Sequence, residues 1–129
     1  IIKRMVSDFN ELQKFKIGII AIMPNDPISY PQDNISNMKI FSEKYNFNFP
    51  YVIDEKQAVA KNYGAVCTPD FFCFNNMHEL QYRGRLDNLN INKKGNLDKE
   101  LLNAVHIIIE KNIGPTIQNP SMGCSIKWT

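Results

Sequence analysis

An α/β fold is predicted for this chain, and three observations predict it. Apolar residues recur at helical spacing near its start, at Ile2, Met5, Val6, Phe9, Leu12 and Phe15. A short, nearly continuous apolar run, Lys16–Met23, is bounded by Pro24 and suits a parallel strand buried on both faces. Finally, Phe71–Phe74 and Leu80–Leu86, joined by the polar stretch Asn75–Glu79, read as an antiparallel hairpin.

In chain order, the first helical pattern runs from Ile2 to Phe15 and opens without an N-cap residue. Beyond the apolar run, Asn25-Asp26-Pro27 and Pro31 form a loop at the end of a strand, where open α/β sheets place ligands. Turn formation is the favoured account of Asn25 and Asp26, because turns recruit these residue types anyway. Asn34 is a good cap for a helix reaching Tyr45, with Ile35, Met38, Phe41 and Tyr45 on one face and Met38 in the core. Tyr51–Ile53 reads as a strand, and Asp54 with Gln57 resembles a capping box that launches a helix over Ala58–Tyr63.

Gly64 suits the left-handed stop of that helix, and Pro69 suits the start of a strand, where a missing N–H does least harm. The turn between them presents the Cys67 thiol and the Thr68 backbone at the rim of a sheet. In the hairpin, Leu80, Tyr82 and Leu86 alternate with Gln81, Arg83 and Arg85, and Gly84 marks a bulge or a close backbone approach. Arg83 and Arg85 on one face can hold an anionic group, or can simply keep an edge strand soluble. Asn96 is expected to cap a last helix buried along Leu97, Leu101, Val105 and Ile108, stopped by Asn112-Ile113-Gly114-Pro115. The tail alternates Met122, Cys124, Ile126 and Trp128 with smaller or polar residues, so it is expected to pack on the body of the protein. The expected organisation is one domain over residues 1–115 with a packed tail over 116–129.

At 129 residues and 43% hydrophobic content the chain can bury an ordinary core, and a net charge of +2 selects no partner. It has no long basic run and no aromatic platform interleaved with arginines, so nucleic acid is not an expected partner. Its apolar runs are too short to span a bilayer. His78 falls in a turn and His106 in a helix, without the spacing of a zinc site, so no metal is expected. Three cysteines without a Cys-x-x-Cys do not make a secreted disulfide framework, which makes a reducing, cytoplasmic location the expectation. Cys73, inside the aromatic strand, reads as inert. Cys67 reads either as a reactive thiol or as a packing residue, and Cys124 either as a resolving thiol or as a tail residue.

Gly64-Ala65-Val66-Cys67-Thr68-Pro69-Asp70-Phe71-Phe72, Tyr82-Arg83-Gly84-Arg85-Leu86-Asp87 and Gly123-Cys124-Ser125-Ile126-Lys127-Trp128 together carry a resemblance. With Asn25-Asp26-Pro27, Asn37-Met38 and Phe49-Pro50-Tyr51, they resemble the thioredoxin-fold redoxins grouped as alkyl hydroperoxide reductase and thiol-specific antioxidant proteins, in particular the peroxiredoxin-like branch. The similarity runs over nearly the whole chain.

The resemblance implies a thioredoxin-like three-layer α/β/α sandwich with a mixed sheet, and Pro69 as a cis-proline facing a redox dithiol. It implies a thiol-disulfide oxidoreductase or thiol peroxidase in antioxidant defence, with disulfide or peroxide as substrate, an external thiol as reductant, and no cofactor. In the family a first core strand precedes this helix, and the helix carries a Cys-x-x-Cys-Pro motif at its N-terminal end. Neither stands in these residues, so the first core strand is expected to be missing, the main nucleophile is not carried over, and the chain by itself is expected to turn over little substrate.

On that topology the expected strand order is Tyr51–Ile53, Lys16–Met23, an empty lane, Phe71–Phe74 and Leu80–Leu86. The site residues expected are Cys67 and Cys124 for chemistry, with Thr68, Pro69, Arg83 and Arg85 for substrate. The alternative is a non-catalytic thioredoxin-like module that binds a peptide by strand addition at Thr68 and the Arg83/Arg85 face.

Overall fold

The computed structural model describes residues 1–89 and 96–129. The chain folds as two compact units, one of residues 1–66 and 125–129 and the other of residues 67–124.

The first unit opens with α1 (Ile2–Gln13), whose helical-period face buries Met5, Val6, Phe9 and Leu12. The helix stops earlier than the apolar spacing suggests. Lys16 takes a left-handed conformation, the chain turns away, and Phe15 is left half exposed. β1 (Ala21–Met23) pairs in parallel with β2 (Tyr51–Ile53), Ala21 opposite Tyr51 and Met23 opposite Ile53.

The ladder is shorter than the Lys16–Met23 run, and that run is not buried on both faces. Ile20, Ile22 and Val52 stay exposed while Met23 is buried. A continuous apolar run requires cover on both sides of a sheet, and this two-stranded ladder has one open face. α2 (Ile35–Lys44) is capped by Asn34, whose side chain accepts the Asn37 N–H at 2.9 Å. Met38 is its buried residue, Ile35 faces out, and Phe41 joins Tyr45, Phe47 and Tyr51 in an aromatic cluster. α3 (Ala58–Tyr63) ends on Gly64 at φ 72°.

Asp54 and Gln57 do not form a capping box. The Asp54 carboxylate accepts the Ala60 N–H at 2.9 Å, whereas Gln57 is itself the residue before the helix, left-handed, with its side chain turned elsewhere. Ser125–Thr129 completes this unit from the far end of the sequence and buries Ile126.

The second unit begins at β3 (Cys67–Thr68) and continues through the hairpin β4 (Phe71–Phe74) and β5 (Leu80–Gly84), Phe72 opposite Arg83 and Cys73 opposite Tyr82. A bulge falls between Cys73 and Phe74 rather than at Gly84. Gly84 is instead a close approach, because a β-carbon there would meet the Asn119 carbonyl. Asn75 builds the turn, its side chain accepting the N–H groups of Met77 and Glu79, both at 3.0 Å.

α4 (Glu100–Lys111) buries Leu101, Leu102, Ala104, Val105 and Ile108 against a core that includes Phe71, Tyr82 and Leu86. It starts after Lys99, not at Asn96, and Leu97 is exposed. Instead the Asn88 N–H donates to the Asp98 carbonyl at 3.2 Å and the Asp98 N–H donates to the Asn88 side-chain oxygen at 2.8 Å, which holds Asp98 outside the helix. β6 (Cys124–Ser125) pairs with β3, and β1–β2 and β4–β5 remain separate two-stranded sheets.

Candidate thiol site at the proline loop

The loop that carries the candidate site owes its shape to Gly64, which ends α3, and to the Thr68–Pro69 peptide bond, which is cis. Between them Cys67 and Thr68 form β3, and the ladder with β6 sets the strand that bears Cys67 beside the one that bears Cys124. Gly123 lies so close beneath that a β-carbon would overlap the Thr68 carbonyl, and a backbone carbonyl cannot be moved aside as a flexible side chain can. Glycine is therefore required there for close approach, not for an unusual φ.

The Cys67 sulfur is half-buried and donates to the Ser121 carbonyl at 3.6 Å, while the Ser121 hydroxyl donates to the Gly84 carbonyl at 2.6 Å. Burial is the main cause that pushes the Cys67 thiol above its ordinary value, and the neighbouring Asp70 carboxylate pushes it further. The Gly123 N–H and the Arg83 guanidinium act in the opposite direction but do not prevail. Asp70 is 3.3 Å from the Arg83 Nη2. Asp70 is nearly covered and Arg83 reaches solvent, with its guanidinium 5.0 Å over the Phe72 ring. Its backbone N–H donates to the Gln118 side chain at 2.9 Å.

Arg85, one residue past the end of β5, is placed differently from Arg83. Its guanidinium forms a two-pronged pair with the Glu100 carboxylate, and Asn119 donates to that carboxylate at 2.8 Å. The Tyr82 hydroxyl donates to the Arg85 carbonyl at 2.6 Å. This arginine ties β5 to the start of α4, and its donors face a carboxylate of the protein itself.

Cys124 is exposed, and all three cysteines are free thiols. Cys73 is the most shielded, and burial alone pushes its thiol up to about 12. Such a group stays protonated and unreactive at neutral pH. The loop thus gathers Cys67, Thr68 and Pro69 with three residues the sequence did not single out: Asp70, Ser121 and Gly123. Asp70, directly after Pro69, and Gly123, directly before Cys124, stand inside the stretches that carry the family resemblance, whereas Ser121 had no signal. Ser121 arrives through the fold, by its contacts with Cys67 and Gly84. Among the described residues no group of three or more His, Cys, Asp or Glu side chains is placed to hold a metal ion, and no helix is long and apolar enough to cross a membrane.

A proline loop beside a β-hairpin, on a mixed α/β chain, gives the class as a thioredoxin-like fold. Solved structures agree. A hypothetical protein from Sinorhizobium meliloti 1021 is 31% identical, with a TM-score of 0.91 over 99% of this chain and 70% of its own. An uncharacterized conserved protein from Geobacillus kaustophilus is 37% identical, with a TM-score of 0.92 over 99% of this chain and 68% of its own. No curated protein matches. The model of the AhpC/TSA family matches residues 1–86, and the chain belongs to that family.

Proposed function

We propose that the protein is a thiol-disulfide oxidoreductase or thiol peroxidase in which Cys67 and Cys124 are the working thiols within these residues. Family membership supports thiol-dependent redox chemistry. The observation that carries the finer reading is the ladder between β3 and β6, which brings the Cys67 and Cys124 strands side by side next to a cis-proline. Neighbouring strands lie about 4.8 Å apart, so the two cysteine-bearing strands are one strand spacing from each other.

With a disulfide substrate, the Cys67 thiolate attacks one sulfur, a mixed disulfide forms, and the other sulfur leaves as a thiolate that takes a proton. Cys124 then attacks the Cys67 sulfur of the mixed disulfide, releasing the second half of the substrate as a thiol and leaving a Cys67–Cys124 disulfide. With a peroxide, Cys67 becomes a sulfenic acid as an alcohol or water departs, and Cys124 condenses with it, releasing water. In either case an external dithiol supplies two electrons and two protons to restore the pair. Thr68 and Pro69 present backbone to an extended substrate, and Arg83, exposed over Phe72, meets its acidic or polar groups. Arg85 contributes by holding β5 in place through Glu100.

The raised Cys67 thiol supports slow chemistry in this chain alone. It also supports a second reading, a non-catalytic thioredoxin-like module that binds peptide on the same surface. Residues 1–115 would act as the redoxin domain and 116–129 as the segment that delivers Cys124. An antioxidant role in the cytoplasm accords with this chemistry. The test is a single oxidation by stoichiometric hydrogen peroxide or diamide, followed by peptide mapping. The redox reading expects a Cys67–Cys124 disulfide, and in Cys124→Ser a Cys67 sulfenic acid trapped by dimedone. Free Cys67 and Cys124 after oxidation, with a redoxin substrate peptide still bound, would leave the module.

A further inference from the structure

The crevice outside the carboxyl ends of β1 and β2, where open α/β sheets bind ligands, is filled in the first unit by residues of its own chain. Pro24, Asn25 and Asp26 follow β1 directly, and Gln57 follows β2. Gln57 is 1% exposed, and its amide uses every hydrogen-bonding position it has. Its nitrogen donates to the carbonyls of Pro24 at 2.8 Å and Lys127 at 2.9 Å. Its oxygen accepts the Thr129 N–H at 3.0 Å and the Thr129 hydroxyl at 3.2 Å. Three of these four bonds go to a segment about 70 positions away.

Asn25 and Asp26 complete the grip. The Asn25 side-chain oxygen accepts the Lys127 N–H at 2.9 Å, and its nitrogen donates to Asp33 at 3.0 Å, which fixes the amide's orientation. The Asp26 N–H donates to the Lys127 carbonyl at 2.9 Å. The grip is on main chain at Lys127 and Thr129, apart from the Thr129 hydroxyl, so it tolerates many side chains at the position of Lys127. Selection falls on the flanking positions. Ile126 is buried, and the Trp128 ring lies 5.5 Å from the Lys61 Nζ while remaining 40% exposed. Reading alternate main-chain groups and pocketing an apolar side chain is how proteins bind extended peptides.

We propose that Asn25, Asp26 and Gln57 form an extended-peptide site, filled in cis by residues 126–129, from which an apolar–X–aromatic segment of another polypeptide can displace them. The inference does not depend on the thiol reading, since no cysteine belongs to the site. A tethered occupant competes at an effective concentration in roughly the mM range, so free peptide binds the unaltered protein weakly and saturates late.

Trp128 is the single tryptophan, which makes its emission a direct report of the seated segment. The probe is the blocked peptide acetyl-Ser-Ile-Lys-Phe-Thr-amide, which contains no tryptophan. The expected result is a saturable red shift of Trp128 emission in the unaltered chain, absent with a control peptide carrying serine in place of isoleucine and phenylalanine. Gln57→Asn keeps an amide and a residue type that accepts the left-handed backbone, but shortens the reach. It should show red-shifted emission before any peptide is added, with a peptide response weakened roughly tenfold or more. Asn25→Ala should act in the same direction and serves as the reading if Gln57→Asn does not fold. A probe without effect well above the mM range, or folded variants with unchanged emission and response, would overturn the proposal.

Discussion

Cys67 is kept as a thiol by burial and by Asp70, against the pull of Gly123 and Arg83, and this balance can be shifted by single substitutions. Its folded value is raised, so its thiolate fraction at pH 7 lies below that of an ordinary cysteine of pKa about 8.5. Site-resolved iodoacetamide labelling should therefore give Cys67 a midpoint above that value. Asp70→Asn should move it down and Arg83→Gln up; opposite movements would show that the ion pair is not what sets the thiol. Cys73 offers a sharper pH test. An unfolded cysteine begins to lose its proton near pH 8.5, whereas the folded Cys73 holds it to about 12. Over that interval the unfolded state binds fewer protons, so stability falls as pH rises, by up to about 1.4 kcal/mol per pH unit, and is fully present below it. Urea unfolding from pH 8 to 10 should show this slope, and Cys73→Val should remove it.

Between elements, two contacts hold the proline loop and the hairpin in position. Arg85 and Glu100 are both mostly covered, and their pair joins β5 to the first turn of α4 with Asn119 on the same carboxylate. Arg85→Met leaves Glu100 facing a shielded site without its countercharge, and a loss of about 3 kcal/mol in urea unfolding is expected. Glu100→Gln, which keeps a hydrogen-bonding group, should cost less. Gly123 is the second contact. Gly123→Ala drives a methyl into the Thr68 carbonyl, and since neither backbone yields easily the expected cost is about 1–3 kcal/mol. The same substitution should alter the pH midpoint of Cys67 labelling, because the Gly123 N–H bears on that sulfur. An unchanged stability and an unchanged midpoint would show that the close approach is not tight.

At the scale of the whole chain, the second unit is an insertion in the first, which is completed only when Ser125–Thr129 returns to it. Ile126 is the buried anchor of that return. Ile126→Ala should destabilise the first unit by roughly 2–4 kcal/mol. Hydrogen exchange resolves where the loss falls. Amides of α1, β1 and β2 should exchange faster, while those of β4, β5 and α4 keep their protection. Uniform acceleration through both units would mean that the return segment stabilises the chain as one cooperative body.

Much was legible in the sequence because it is decided locally. Asn34 caps α2 through a residue three positions on, Gly64 stops α3 by its own backbone freedom, and Asn75 folds the hairpin turn within four residues. The helical spacing that defines α1 and the alternation of Tyr82 and Leu86 with Arg83 and Arg85 are likewise read from short windows. Family resemblance adds the fold. What required the tertiary structure is each place where a local preference meets a distant group. Gln57 satisfies its amide with Lys127 and Thr129 instead of closing a capping box, and Asp98 bonds Asn88 and so delays α4. Arg85 turns to Glu100 while Arg83 turns to Asp70, though the two look alike in the sequence. A polar side chain takes the partner that folding brings within hydrogen-bonding distance, and a sequence window fixes only the neighbours that the backbone itself supplies.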